Sequence, residues 1–334
     1  MNAIDDLDAT LKLVPEDIEV YLFRASAFQA LGHFHAAIHD YESSIKLDPH
    51  SFKSFYYWGT LYQQEENYKS AIDRYSHAIK IHKTFTEAYL SRGYCYLCLS
   101  NYERALNDID LAIEFRDQGH SGIGSTQKEL DTLNLYSLRG VVHSRLEKPQ
   151  KAMIDFNGSI ELEQNNVLAY LGRGIYRCHQ SQYSEALSDF QKAIKLNPSA
   201  MAYYNQAIAQ KQLALKDDAL VSLNKALTLQ ENMIAALYFR GNLFLSNGDE
   251  LNGDADLQNA KDLEATKPEL LDSDDAHAMF YKGIAFHRTG DLDITRESFR
   301  KALQICEQYK SQGLQKKIEE TIKSLSIYMH PSDG

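Results

Sequence analysis

Apolar positions in this chain recur with a long period. From Phe52 the marks are Phe55, Trp58, Gly59 and Tyr62, then Tyr68, Ala71, Tyr75 and Ala78. Thirty-four residues on stand Tyr89, Arg92, Gly93 and Tyr96, then Tyr102, Ala105, Ile109 and Ala112. Thirty-four residues back stand Tyr21, Arg24, Ala25 and Phe28, then Phe34, Ala37, Tyr41 and Ser44. Steps of three and four put such side chains on one face of a helix. Each block therefore predicts two helices, A and B, packed face to face. Counted with the first aromatic as position 4, helix A packs through positions 4, 7, 8 and 11, and helix B through 20, 24 and 27. Position 8 is Ala25, Gly59, Gly93, Gly140, Gly174, Ala207, Gly241 and Gly283. Glycine inside a helix costs roughly 1 kcal/mol against alanine, so its recurrence predicts a close approach of helix B that offsets the cost. Pro49 and Pro198 follow helix B and stop it.

This order of aromatic, small and apolar residues resembles the tetratricopeptide repeat. Full repeats begin at Ile18, Phe52, Thr86, Leu133, Val167, Ala200, Ile234 and Ala276. Their boundaries are 18–51, 52–85, 86–132, 133–166, 167–199, 200–233, 234–275 and 276–309. The resemblance implies an all-α fold: a right-handed alpha-alpha superhelix, one solenoid over 1–334, with eight full repeats. Residues 1–17 fit only a helix B, with Ala3, Leu7, Thr10 and Pro15 at positions 20, 24, 27 and 32. This half-repeat predicts a cap, a longer array, or a surface for self-association. Leu314, Ile318, Ile322 and Leu325 make an apolar stripe that predicts a capping helix over 312–329. Two inserts, 117–132 and 266–275, fall after a helix B and read as surface loops.

Two positions vary together. Position 7 is arginine in five repeats: Arg24, Arg92, Arg139, Arg173 and Arg240. Position 23 is aspartate in the same five: Asp40, Asp108, Asp155, Asp189 and Asp256. The other three carry Trp58 with Arg74, Gln206 with Ser222, and Lys282 with Ser298. Co-variation of this kind predicts contact, here a half-buried structural Arg–Asp pair within each hairpin.

In the tetratricopeptide family, positions 2, 5, 9 and 12 of helix A point into a concave groove. Carried onto this sequence, that face includes Tyr56 in the second repeat and Leu90, Tyr94 and Leu97 in the third. The fifth repeat supplies Leu168, Leu171 and Ile175, and the sixth Met201, Tyr204 and Ile208. Tyr238, Phe280 and Ile284 continue it in the last two. Such a run predicts an exposed apolar surface, the mark of an interface, for an extended or helical peptide with apolar side chains. The family's clamp for the acidic tail of chaperones needs lysine at position 5, which is absent from all eight repeats, and asparagine at position 9, found only as Asn242. A chaperone-tail dicarboxylate clamp is therefore not expected.

Charge narrows the partners further. Acidic residues outnumber basic ones 46 to 35, for a net charge of −11, whereas nucleic-acid binding needs a basic face. Neither nucleic acid nor membrane is expected as a partner. There is no apolar run of membrane-spanning length and no basic-then-apolar leader. Four cysteines in a chain this long point to a reducing compartment, the cytoplasm. Cys95 and Cys98 form a CxxC, but on a helix A with no further ligand nearby, so no metal or cofactor is expected. His33, His35 and His39 cluster without a companion pattern. No phosphate loop or nucleophile elbow occurs, so no catalytic residue is expected and the chain reads as no enzyme. The function implied is a protein–protein interaction scaffold. The alternatives are a rigid subunit of a large ciliary, cytoskeletal or cell-cycle assembly, or the regulatory array of a longer enzyme.

Overall fold

The computed structural model describes residues 3–120, 128–271 and 275–327, with backbone alone at 128–134 and 269. Among these residues there are eighteen α-helices, one short 3-10 turn and no strand. The chain forms two compact units, Met1–Leu146 and Glu147–Gly334.

Unit 1 holds α1 (Ala3–Leu13), then α2 (Ile18–Ala30) with α3 (Phe34–Leu47) and α4 (Phe52–Gln64) with α5 (Tyr68–Ile81). It ends with α6 (Thr86–Cys98), α7 (Tyr102–Asp117) and α8 (Lys128–Arg145). Unit 2 opens with α9 (Pro149–Leu162), α10 (Val167–His179), α11 (Tyr183–Leu196), α12 (Ala200–Gln212) and α13 (Lys216–Leu229). Next come α14 (Ile234–Ser246), α15 (Glu250–Thr266), the 3-10 turn Pro268–Leu270, α16 (Ala276–Arg288), α17 (Leu292–Gln308) and α18 (Gln312–Ser324).

Local chemistry sets these boundaries. Side chains of Asp17, Ser51, Asn166, Ser199 and Asp275 cap α2, α4, α10, α12 and α16 by accepting from backbone N–H groups of the first turn. Between A and B helices the chain turns through one left-handed residue, such as Gly32, Ser181 or Ala214. The inserts are more ordered than a loop reading predicts: α8 begins at Lys128, inside the first, and the second holds the 3-10 turn.

The close approach predicted at position 8 is present. A Cβ on Gly59 would lie 2.6 Å from Tyr75, and one on Gly174 2.6 Å from Phe190. Such distances are far inside van der Waals contact, so each aromatic ring of helix B rests directly on the backbone of helix A. Tyr75, Phe190 and Phe299 are fully buried as a result.

Candidate peptide-binding face and its arginine framework

Four of the predicted Arg–Asp pairs are two-pronged. Arg24 donates from Nε and Nη2 to Asp40 at 2.7 Å each. Arg92 does the same to Asp108, at 2.7 and 2.8 Å. Arg173 reaches Asp189 at 3.0 and 2.7 Å, and Arg240 reaches Asp256 at 2.7 Å twice. The aspartates are buried and the arginines half-buried. This fork geometry is the strong form of the contact. Arg139 and Asp155 belong to different units.

The remaining nitrogen of each arginine does something the pairwise reading missed. Nη1 donates backwards, to the helix B of the preceding hairpin. Its acceptors are Asp8 at 2.6 Å, Ser76 at 3.0 Å, Asn157 at 2.7 Å and Asn224 at 2.8 Å. Arg139 joins the pattern across the first insert, donating to Asp110 at 3.0 Å. All five acceptors stand at position 25. The signal was available: blocks followed by an arginine carry a short acceptor there, whereas the other three carry Glu42, Gln191 and Gln258. Each of the four forked arginines thus ties three helices, its own, the next B and the previous B, and so fixes the stacking of one hairpin on another.

Where arginine is absent, other chemistry spans the same gap. Arg74 lies over the Trp58 ring, 4.0 Å from its centre, a cation–π contact with the two roles exchanged. Ser222 Oγ lies within hydrogen-bond reach of Gln206 at 3.0 Å and Gln210 at 2.7 Å. Lys282 turns to Glu264 instead.

On the helix-A face of unit 1 the predicted groups remain accessible. Tyr56, Leu90 and Leu97 are half-buried, and Tyr94 is 38% exposed. Gln29 and Gln63 border this strip and are held in place, accepting from the hydroxyls of Tyr41 at 3.0 Å and Tyr75 at 2.8 Å. At the start of unit 2, Leu168 is 36% and Met201 45% exposed, beside half-buried Leu171 and Ile175.

Further along unit 2 the expectation of an open apolar groove needs correction. Tyr204 is 1%, Ile208 3%, Tyr238 0% and Phe280 2% exposed; Ile284 is half-buried. The four belong to one apolar cluster with Leu314 and Ile318 of α18. Three contacts explain the closure. Helix α16 packs hard on α14, with Phe239 and Tyr281 stacked at 4.3 Å. Tyr204 of α12 donates to Asp275 at the start of α16 at 2.7 Å, and Tyr238 of α14 donates to Glu264 near the end of α15 at 2.7 Å. Helix α18 reaches back to α10, where Ser311 Oγ meets His179 Nδ1 at 2.8 Å and Tyr309 stacks on the His179 ring at 4.6 Å. The apolar stripe of α18 was legible; that it would cover this face as well as α17 was not.

Three of the thiols, Cys95, Cys178 and Cys306, are buried, and Cys98 is exposed. All four cysteines are free. Burial, with Cys98 nearby, pushes the Cys95 thiol up to about 12, and burial alone does the same for Cys178 and Cys306, away from the reactive thiolate. Among the described residues, no group of three or more His, Cys, Asp or Glu side chains is placed to hold a metal, and no helix is long and apolar enough to cross a membrane.

Comparison with known proteins agrees with this architecture. Residues 18–51 and 171–233 match models described as tetratricopeptide repeat. The chain is 30% identical over 174 residues, 49% of its length, to tetratricopeptide repeat protein 13 of Homo sapiens, and covers 19% of that protein. It is 25% identical over 199 residues, 54% of its length, to DnaJ homolog subfamily C member 3 of Rattus norvegicus, and covers 37% of it. It therefore spans well under half of either relative. Among solved structures it is similar to the APC/C hetero-tetramer Cut9–Hcn1, with a TM-score of 0.63 and 16% identity, covering 84% of this chain and 52% of that one. A tetratricopeptide repeat protein from Parabacteroides merdae gives a TM-score of 0.58 and 19% identity, covering 76% and 95%. With helix hairpins closed on small residues at one register throughout, these matches make the chain a tetratricopeptide repeat protein, an all-α solenoid.

Proposed function

We propose that the chain is a scaffold that holds an apolar segment of a partner protein on the open part of its helix-A face. Tetratricopeptide arrays are in general non-catalytic scaffolds for protein–protein contacts. The observation that carries the reading is the contrast within unit 2, where Leu168 and Met201 stay exposed while Tyr204, Ile208, Tyr238 and Phe280 are buried; in unit 1, taken by itself, Tyr94 stays exposed too. Exposed apolar groups gathered on one face are what a docking segment removes from water. Tyrosine suits such a site, since its ring packs and its hydroxyl stays wet.

A second reading, a rigid structural subunit of a larger assembly, is favoured by the filled face of unit 2 and by arginines that lock hairpin to hairpin. In that case contacts run through the ends and the outer helix-B surfaces. Leu13, Val14 and Phe23 of unit 1 are 83%, 50% and 62% exposed, and apolar groups open to water in this way would favour self-association. Light scattering of Phe23→Asp beside the wild type tests that part.

Affinity capture from lysate tests the main proposal. Tyr94→Glu and the double variant Leu168→Glu, Met201→Glu are compared with wild type, once circular dichroism shows all three equally helical. A partner kept by wild type and lost by either variant supports the docking face and identifies the ligand. The same partners on all three would reject it and favour the structural reading.

A further inference from the structure

Gln29 and Gln63 stand at position 12 of the first two repeats, and Tyr41 and Tyr75 stand at position 24 of the same hairpins. The other six repeats have neither glutamine at 12 nor tyrosine at 24. The Tyr41 hydroxyl donates to Gln29 Oε1 at 3.0 Å, and the Tyr75 hydroxyl to Gln63 Oε1 at 2.8 Å. Both tyrosines are fully buried. Position 24 is filled elsewhere by Ile109 or Phe190, so packing alone does not require a phenol there. What the phenol adds is a fixed direction for the carboxamide. Burial pushes both hydroxyls up, so each keeps its proton and donates. Cys95 Sγ is a second donor to Gln63 Oε1, at 3.7 Å. With Oε1 occupied in this way, Nε2 is the end left to meet an acceptor.

The two amides then differ. Gln29 Nε2 donates at 2.9 Å to the side-chain carbonyl of Gln64, an exposed residue at position 13 of the next repeat. The same place one repeat further on is Cys98, which offers no carbonyl. Among the described residues Gln63 Nε2 meets no acceptor, and it is not closed off from water. The half-buried ring of Tyr56, on the docking face, lies 5.7 Å from the Tyr75 ring.

We propose, resting on the docking face inferred above, that Gln63 Nε2 donates to a main-chain carbonyl of an extended partner segment on unit 1, with a flanking apolar side chain on Tyr56. The equivalent donor, on Gln29, is already filled by an amide carbonyl. A carboxylate suits the place less well, because the donor is neutral and Lys53, on the same face, is held by Glu19 at 2.9 Å. A helical segment uses its carbonyls within itself, whereas an extended one leaves them open to such a donor.

The test selects random linear peptides, displayed on phage, against the full chain and titrates the enriched peptides by fluorescence anisotropy. Gln63→Glu keeps an acceptor for Tyr75 and Cys95 but replaces the donor with a carboxylate oxygen, and should weaken binding about tenfold or more. Gln63→Leu combined with Tyr75→Phe removes the amide and the hydroxyl together, so no buried phenol is stranded; it should weaken binding by roughly three- to tenfold, the loss of one hydrogen bond. Both losses, with peptides that share no asparagine or glutamine, support the main-chain contact. Enriched peptides that share an asparagine or glutamine at one position, or that are helical when bound, overturn it. Peptides weakened by Tyr94→Glu but indifferent to both Gln63 variants also overturn it and leave the docking face standing. No enriched peptide on wild type overturns both. Urea midpoints separate lost affinity from lost fold, and should Gln63→Glu unfold, the double variant decides.

Discussion

The helix-A faces of the two units are built from the same kinds of residue and end differently. In unit 1, Tyr56, Leu90 and Tyr94 remain partly open to water; in unit 2, Tyr204, Ile208, Tyr238 and Phe280 are closed over. Position in the repeat does not decide the outcome. What decides it is which other elements reach the face. Unit 1 borders its strip with glutamines pinned by buried tyrosines. Unit 2 brings the second insert and α18 onto its own, so Asp275, Glu264 and Lys317 take up the tyrosines and Phe280. A partner segment has room on the first face; on much of the second the chain already supplies one.

The largest test of that contrast is to remove the cover. Ile318 is fully buried between α18 and the rest of unit 2. Ile318→Glu places a carboxylate in an apolar cluster and should cost on the order of 4 kcal/mol. Hydrogen exchange followed by mass spectrometry should show faster exchange in α12, α16 and α18. If α12 and α16 keep wild-type exchange while α18 loses protection, α18 is a loose end and not their cover.

The arginine framework gives a smaller and more graded comparison. Asp108 is held by Arg92, whereas Asp189 is held by Arg173 and also by Arg177 at 2.6 Å. Arg92→Ala leaves a buried carboxylate unpaired and should cost about 3–5 kcal/mol. Arg173→Ala leaves Arg177 in place and should cost about 1–3 kcal/mol, the range for a charged hydrogen bond. Urea unfolding measures both. Once Arg92 is gone, Asp108→Ala should add little; fully additive losses would mean that the pair is not one interaction.

The framework also shows what the sequence could and could not convey. Helices, their starting registers and four of the five Arg–Asp pairs were legible because local periodicity and co-variation report on contacts at a fixed spacing. The backward bond from Arg24, Arg92, Arg139, Arg173 and Arg240 was written in the choice of short acceptors at position 25, a pattern visible only when a block is read with its successor. The non-glycine residues in left-handed turns, such as Glu66 and Ala214, left no comparable mark, because the turn tolerates many side chains. The filled face of unit 2 was least legible. It depends on His179 meeting Ser311 and on Tyr204 meeting Asp275, contacts whose separations are set by the accumulated twist of several hairpins rather than by any repeat.

The smallest effect concerns Lys317 and is read from pH. Burial first, and then the charge of Lys211, brings its amine down to about 8 in the folded chain, against near 10.4 when unfolded. Below pH 8 it is charged in both states, so the folded state carries the full cost of burying it against the charge of Lys211. Between about 8 and 10.4 the folded state has released the proton and the unfolded state has not. Unfolding then takes up a proton, so stability rises with pH across this window. Above it neither state is charged and the cost is gone. Lys317→Met should accordingly be more stable than wild type at pH 7, and the difference should shrink as pH rises from 8 towards 10.4. His277 is already neutral there, and burial pushes the neighbouring Tyr281 hydroxyl upward, out of the window. Lys211 is the other titrating group whose charge acts on it, and the same comparison in a Lys211→Met background should move the start of the change to higher pH. A difference between wild type and Lys317→Met that stays constant from pH 7 to 10.4 would mean that the amine reaches water freely and that α18 does not hold it against the closed face.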